Sequence, residues 1–251
     1  MEMCASVREC PASGKSQDEP ARALARIAQR IAVPDPGVEI WCILLAVSAP
    51  ELEQLFALLS REEQTRAARF HFARDRSRYV AARGMLRVML GNYLGISPAA
   101  VALESGPNGK PLLANSFSDV HFNLSHSGDR ALIAIARDLI PGVDIESLDR
   151  DVDYDGLARR FFSGREYAEL QLIPNADRKR AFLTCWTRKE AVAKAIGQGL
   201  HLPLNRIEVT VGTDAPSRLL DVPGDEPANW ALHSIDAGRD HVATLALRRV
   251  I

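Results

Sequence analysis

The stretch Trp186–Ile196, WTRKEAVAKAI, constrains the chain most. It has no proline or glycine and three alanines, a composition that favours helix. At about 100° per residue, Phe182, Trp186, Ala193 and Ile196 fall on one apolar stripe, which fixes one face of this helix against a core. Glu190 and Lys194 lie one turn apart along the border of that stripe. A carboxylate and an ammonium at the edge of a buried face can point into a cleft together. The same pair on an exposed face is an ordinary i,i+4 ion pair of small energy.

Two like charges recur further up the chain. Ile140–Glu146 reads as a strand in which Asp144 and Glu146, two apart, project from one face while Val143 and Ile145 face the other. The carboxylates repel unless something positive sits between them. A hard divalent cation satisfies both, and an acidic outer face on an edge strand is the plainer alternative. Before it, Val120–Gly128 alternates Val, Phe and Leu with polar residues and runs into a small polar turn, and Ala131–Ala136 is its hairpin partner or a neighbouring strand. The Asn, Ser, His and Ser of that strand end fit turn chemistry and a binding site equally.

The remaining elements follow from punctuation. Glu39–Val47 reads as a strand stopped by Pro50, Glu51–Leu59 as a short helix, and Ser60 with Glu63 as a capping box that starts the next. From Arg61 to Arg87 there are eight arginines against Glu62, Glu63 and Asp75, 8 − 3 = +5 in a chain of net charge −1. Arg66, Arg78 and Arg83 stand out because apolar residues flank them, and guanidinium forks suit phosphate oxygens. The helix is expected to run on to Gly95. Lys110 sits in a tight loop between Gly109 and Pro111. Leu157–Leu172 is a helix pair broken at Ser163-Gly164, with Phe161 and Phe162 beside Arg159 and Arg160 either in the core or on a docking surface. The main helix runs from Ala176 to Ile196 and is capped by Gly197. Two strands, in WALHSIDAG and HVATLALRRV, make a closing hairpin.

Composition excludes several classes. Apolar residues at 47% and charged residues at 25% are those of an ordinary globular chain. A net charge of −1 gives no general argument for nucleic acid or an anionic membrane. The run Ile40–Val47 is too short to span a bilayer, and MEMCASVREC has no signal-peptide core. The four cysteines show no metal-type spacing, so reduced, buried thiols in a cytoplasmic protein are expected.

Six pieces in order resemble the 4′-phosphopantetheinyl transferase superfamily in its two-lobed, single-chain (Sfp-type) form. They are ARDRSRYVAARGMLR, NGKP, FNLSHSG, GVDIE, RFFSGREY and WTRKEAVAKAIGQGLHLPL, within about residues 61 to 205. The resemblance implies an α+β fold, a pseudo-twofold arrangement of two similar α/β lobes. Residues 37–137 would be the N-terminal lobe contacting the nucleotide and 138–251 the C-terminal lobe with the metal site; residues 1–36 lie outside the resemblance and read from their Ala, Pro, Ser, Glu and Arg content as a flexible extension or, at the amphipathic patch Leu24–Val33, a loosely docked helix. The resemblance implies transfer of the phosphopantetheine arm of coenzyme A to a serine of an apo acyl, peptidyl or aryl carrier protein, with release of adenosine 3′,5′-bisphosphate. Asp144, Glu146 and Glu190 match the acidic triad that holds Mg²⁺, with Mn²⁺ suited to the same oxygens. Lys194 matches the phosphate lysine, Ser125 and His126 the pair near the nucleotide, Lys110 the loop residue beside adenine and ribose, and Arg66 a basic position serving the 3′-phosphate. Glu190 is the candidate general base. A monomer with no nucleic-acid or membrane partner is expected. Pro141 departs from the family pattern and implies a bend or an edge position at the start of its strand.

Overall fold

The protein is described by a computed structural model, which covers residues 26–106, 110–114, 117, 119–197 and 202–250. Six α-helices are seen among them: α1 (Ala49–Ala57), α2 (Arg61–Ala68), α3 (Ala73–Leu94), α4 (Tyr154–Phe161), α5 (Gly164–Leu172) and α6 (Asn175–Ile196). Capping boxes start three of them, at Ser48 with Glu51, Ser60 with Glu63 and Ser163 with Glu166, each satisfying two orphan N–H groups of the first turn. Pro50 lies inside the first turn of α1, where a missing N–H costs nothing, and so it does not serve as the strand stop expected for it.

The arginine-rich helix is broken where continuity was expected. α2 ends at Ala68, and α3 begins only after Phe72, which is extended. Phe70, His71 and Phe72 fall there in succession, and aromatic side chains lose rotamer freedom in a helix. The break lets Phe70 turn back onto Tyr79, with ring centroids 5.2 Å apart.

Two antiparallel sheets carry the fold. The first has the order β1 (Ala28–Ile31), β2 (Val38–Leu44), β6 (Arg130–Arg137), β5 (Val120–Ser127). The second has the order β10 (Trp230–Ser234), β11 (His241–Arg249), β7 (Leu139–Ser147). β1 corrects the reading of residues 1–36 as a detached extension, since Ala28–Ile31 pairs with Ile40–Ile43 and Ile27 is buried. Edge pairing with a hydrophobic strand outweighs the polar composition of that segment; residues 1–25 lie outside the described residues. Short ribbons, β3 (Leu103–Ser105) with β4 (Pro111–Leu113) and β8 (Glu208–Val209) with β9 (Leu219–Asp221), flank the sheets.

Each sheet carries a 22-residue helix. α3 packs on the first sheet around Ile43, Phe122, Ile133 and Ile135, and α6 packs on the second around Val242 and Ala246. Each helix ends on a left-handed glycine, Gly95 at φ 68° and Gly197 at φ 81°. A third core, with Ile40, Leu132, Val143, Ile145 and Leu245, joins the sheets. The fold is thus α+β, with two similar halves in pseudo-twofold arrangement.

The halves meet along β5 and β7, and period-two alternation explains how. Asn123, Ser125 and Ser127 share one face of β5. Val143 N donates to Asn123 Oδ1 at 3.1 Å and Ser147 N to Ser127 Oγ at 3.0 Å. Odd-numbered residues of β7 therefore aim their backbone groups at β5, while even-numbered ones pair with β11. Pro141 is odd-numbered, so its missing N–H removes nothing from the β7–β11 ladder, and no bend is required.

Candidate active site

The helix α6 is anchored from beneath by two buried cations. Arg188 donates to the carbonyls of Thr210 (2.7 Å), Gly212 (3.1 Å) and Ala215 (3.1 Å). Lys189 is ion-paired with Glu166, whose carboxylate also accepts from Ser163 N and Val209 N. These residues fix the rotation of α6 and so the direction of Glu190 and Lys194. Sequence reasoning gave neither a role. The pattern Ser163-x-x-Glu166, a capping box, is the signal that could have marked Glu166, the partner of Lys189, as structural.

Lys194 reaches across the seam. Its Nζ donates to Asp144 Oδ1 at 2.6 Å and to Ser125 Oγ at 2.8 Å, and Ser125 Oγ donates to the same Asp144 oxygen at 2.9 Å. Helix α6, strand β5 and strand β7 each contribute one member of this trio. Lys110 Nζ donates to the backbone carbonyl of Lys194 at 2.9 Å. It satisfies a last-turn carbonyl of α6 and sets a positive charge at the helix C-terminus. Burial, then Lys194, lowers the Lys110 pKa. Its ammonium therefore ties the β4 ribbon to α6 while the side chain also lines the cavity described below.

Three carboxylates surround this trio with unequal partners. Glu146 accepts from Ser127 Oγ at 3.1 Å and is ion-paired with Arg150. Burial raises its pKa, and Asp144 raises it further. Glu190 is half-buried; burial and then Asp144 raise its pKa against the opposing pull of Lys194, and Glu146 adds to the rise. Each carboxylate feels the others, as the strand parity anticipates. Among the described residues, however, no three acidic, His or Cys side chains are drawn into a ready coordination sphere. Lys194 and Arg150 engage Asp144 and Glu146 instead. The donors nonetheless fit a hard dication. Asp144 Oδ2 is a buried carboxylate oxygen with no hydrogen-bond partner, and oxygen donors suit Mg²⁺ or Mn²⁺.

The raised pKa of Glu190 carries a stability prediction. A carboxyl that is harder to ionise folded than unfolded contributes stability below its unfolded pKa, near 4.5, and loses it as pH rises through the folded value. Glu190→Gln, neutral throughout, is expected to melt a few degrees above wild type at pH 7.5 without added metal. The gap should close by about pH 4. Melting curves at both pH values check this, and a gap that is constant with pH would remove the charge repulsion inferred around Glu190.

A cavity of about 450 Å³ opens between the halves, within the range of small-molecule sites. Its lining runs from Arg66, Tyr79 and Arg83 through Lys110 and His126 to Lys194 and Glu190, then to Phe161, Leu202 and Leu204. Arg66 is exposed at one end, its guanidinium 5.6 Å from the centroid of Tyr79. His126 has an exposed surface but sits among cations. Crowding by the protein, then Lys194 and Arg78, lowers its pKa. Of the two candidate docking phenylalanines, Phe162 is core, stacked on Phe182 at 5.2 Å. Phe161 meets Trp186 edge-on at 5.6 Å and borders the cavity. Arg159 is ion-paired with Asp155, while Arg160 lies over Phe161. All eight sequence-proposed site residues therefore lie in or beside one cleft, with Asp144, Glu146 and Ser125 behind its wall.

A family model described as the 4′-phosphopantetheinyl transferase superfamily matches residues 141–246, and one for the N-terminal part of 4′-phosphopantetheinyl transferases matches residues 46–138. The 4′-phosphopantetheinyl transferase HetI of Nostoc sp. is 37% identical over 212 residues, covering 84% of this chain and 87% of its own length. The 4′-phosphopantetheinyl transferase of Bacillus subtilis is 32% identical over 181 residues, covering 72% of this chain and 79% of its own. A phosphopantetheinyl transferase of Thraustochytrium sp. is 29% identical over 248 residues, covering 92% and 85%.

Proposed function

This chain belongs to the 4′-phosphopantetheinyl transferase superfamily, and from that premise we propose that it moves the 4′-phosphopantetheine arm of coenzyme A to a serine of an apo acyl, peptidyl or aryl carrier protein, releasing adenosine 3′,5′-bisphosphate. Carriers of fatty acid, polyketide and nonribosomal peptide synthesis share the chemistry required of such a partner. The observation that carries the reading is the meeting of Lys194, Ser125 and Asp144 at one end of a cleft whose other end bears Arg66 and Arg83, with His126 between them. Such a cleft matches a ligand with a reacting diphosphate at one end and a phosphate monoester at the other.

In the reaction, the carrier serine oxygen forms a bond to the β-phosphorus, and the bond from that phosphorus to the oxygen bridging it to the α-phosphorus breaks. The serine proton goes to Glu190. Its raised pKa brings the carboxylate nearer the operating pH, where a general base works best, and such a base is worth about 10²- to 10⁴-fold. Lys194 directs its ammonium at the oxygens that gain charge, and Ser125 and Asp144 hold that ammonium in place. Asp144, Glu146 and Glu190 would hold a divalent cation, which when bound neutralises charge on the diphosphate. His126 and Arg66 grip the nucleotide far from the reacting phosphorus, so their binding energy serves orientation. Among the described residues, no helix is long and apolar enough to cross a membrane. A monomer acting in the cytoplasm is the setting proposed.

The test is direct. The full chain is incubated with coenzyme A, Mg²⁺ and an apo carrier protein, and the carrier is weighed by mass spectrometry. The expected product gains one phosphopantetheine arm on a single serine. An unmodified carrier across acyl, peptidyl and aryl types, with coenzyme A intact, would refute transfer. Coenzyme A cleaved while the carrier stays unmodified would identify a hydrolase instead.

A further inference from the structure

The cation cluster at the α2–α3 end of the cavity has an uneven charge count. Glu63 is buried, and its one carboxylate serves two guanidinium groups. Arg83 Nε and Nη2 both donate to Oε1, at 2.9 and 2.6 Å, and Arg87 Nε donates to Oε2 at 2.7 Å. Ser60 N adds a bond to Oε2 at 2.9 Å. Within this hydrogen-bonded cluster two positive charges meet one negative, while Glu62 and Glu104, both exposed, border the adjoining side cavity. Burial works to raise the Glu63 pKa, but the Ser60 backbone, Arg83 and Arg87 outweigh it and hold the pKa below the usual value, so the carboxylate is charged at neutral pH.

The two arginines differ in where they lead. Arg87 is 3% exposed, and its Nη1 donates inward to the Val101 carbonyl at 2.9 Å. Arg83 lines the main cavity together with Arg66, Tyr79 and His126, and its Nη1 makes no hydrogen bond to the described residues. Arg83 also lines a small side cavity of about 50 Å³ next to Glu63. Positive charge is therefore presented to the cavity through a guanidinium that cannot swing away, because two of its N–H groups are clamped. A preorganised fork of this kind suits the oxygens of a phosphate monoester. A half-buried guanidinium that shares its one carboxylate with Arg87 gains from such a dianion.

We infer that Arg83 is a further substrate ligand, gripping the phosphate monoester at the nucleotide end of coenzyme A, and that Glu63 is the residue that positions it. The inference rests on the transferase reading and adds to it a pair that sets substrate preference. Arg83 and Glu63 lie in the half opposite the reacting groups Glu190 and Lys194, so they act on affinity for the nucleotide.

Calorimetric titration of the full chain with coenzyme A and with dephospho-coenzyme A, which lacks the 3′-phosphate, tests this without a carrier. Wild type should bind coenzyme A at least about tenfold more tightly, the value of one charge-assisted contact. Arg83→Gln should shrink that ratio about tenfold while affinity for dephospho-coenzyme A changes little. Glu63→Gln, which keeps the guanidinium but loosens its clamp, should shrink it in part. Arg83→Lys keeps a positive charge beside Glu63 and should fold even where Arg83→Gln does not; it too should lower the ratio, because an ammonium cannot replace the fork. A ratio that is unchanged in Arg83→Gln, or in Arg83→Lys where only that variant folds, overturns the inference and leaves the transferase reading standing. A wild type that binds neither compound takes both down together.

Discussion

Asp144→Ala is expected to lower transfer by roughly 10³-fold or more while the protein keeps its fold. Asp144 has two parts in the site. One oxygen, Oδ1, receives Lys194 and Ser125, and so aims the ammonium that the proposed function sets against the diphosphate. The other, Oδ2, is buried without a partner and is the oxygen best placed to meet a cation. Losing both functions removes a preorganised donor and a metal ligand at once, and a single such donor is already worth about 10²- to 10³-fold. Stability should change far less. Removing one partner of a buried ion pair is costly when the other charge is left stranded. Here the Lys194 side chain is 29% exposed and keeps Ser125, so water can take over. The substitution also ends the repulsion that raises Glu146 and Glu190 and deletes the unpaired oxygen. The melting temperature should stay within a few degrees of wild type. Added Mg²⁺ should raise the wild-type melting temperature and leave that of the variant unmoved, since a ligand stabilises only a state that binds it. Transfer near the wild-type rate would remove Asp144 from the site. Loss of activity together with collapse of the fold would make its role structural.

Much of this arrangement was legible in the sequence because it depends on short-range periodicity. Strand parity put Asp144 and Glu146 on one face, and the ladder with β11 has that parity. Helical spacing put Glu190 and Lys194 on the border of a buried stripe, and both line the cleft. A capping box located the start of α2, and the break at Ser163-Gly164 located the start of α5. The seam itself was less legible. Asn123, Ser125 and Ser127 have the right spacing to bridge two strands, but that spacing cannot name the strand they bridge to. It is β7, nineteen or twenty residues on, which follows β6 after Asp138 and pairs with the distant strand β11. The same limit hid Arg188 and Lys189, whose acceptors lie on loops more than fifteen residues away or on α5. A charged residue next to the proposed base Glu190 reads as surface or site, yet Arg188 and Lys189 are both fully buried supports. Arg83 was visible as an arginine with apolar neighbours, but its partner Glu63 read only as a capping residue. Glu63 serves both purposes, with Oε2 capping α2 and Oε1 clamping Arg83. The strand β1 was missed because its residues alternate poorly and its order comes from the neighbouring strand β2.

Gly142→Ala should be the most destabilising glycine-to-alanine change among the described residues, and it should disable the site from behind. Gly142 lies on β7 two residues before Asp144, beneath the helix α6. A Cβ built there would fall 2.0 Å from the Ala191 carbonyl oxygen and 2.7 Å from Ala195 N. Both are backbone atoms of α6, so no side-chain rotation can relieve the contact, and the helix must move off the strand. That helix carries Glu190 and Lys194, and the 2.6 Å bond from Lys194 to Asp144 spans the gap that would widen. Overpacking of this kind costs about 1–3 kcal/mol when side chains can adjust, and the upper end or more is expected where backbone meets backbone. For a chain of this size a loss of about 3 kcal/mol corresponds to a fall of roughly 6–12 °C in melting temperature. Gly164→Ala is the matched control. Nothing lies within 4 Å of its added methyl at the start of α5, and alanine is the better helix former, so it should melt at or slightly above wild type. Transfer at a temperature where both variants are folded should fall at least about tenfold in Gly142→Ala, because a shift of about 1 Å at the reacting groups can cost a hundredfold. Gly164→Ala should retain its rate. If Gly142→Ala melts with wild type, α6 does not rest on β7 through this glycine, and the close approach that brings Lys194 to Asp144 must be supported elsewhere.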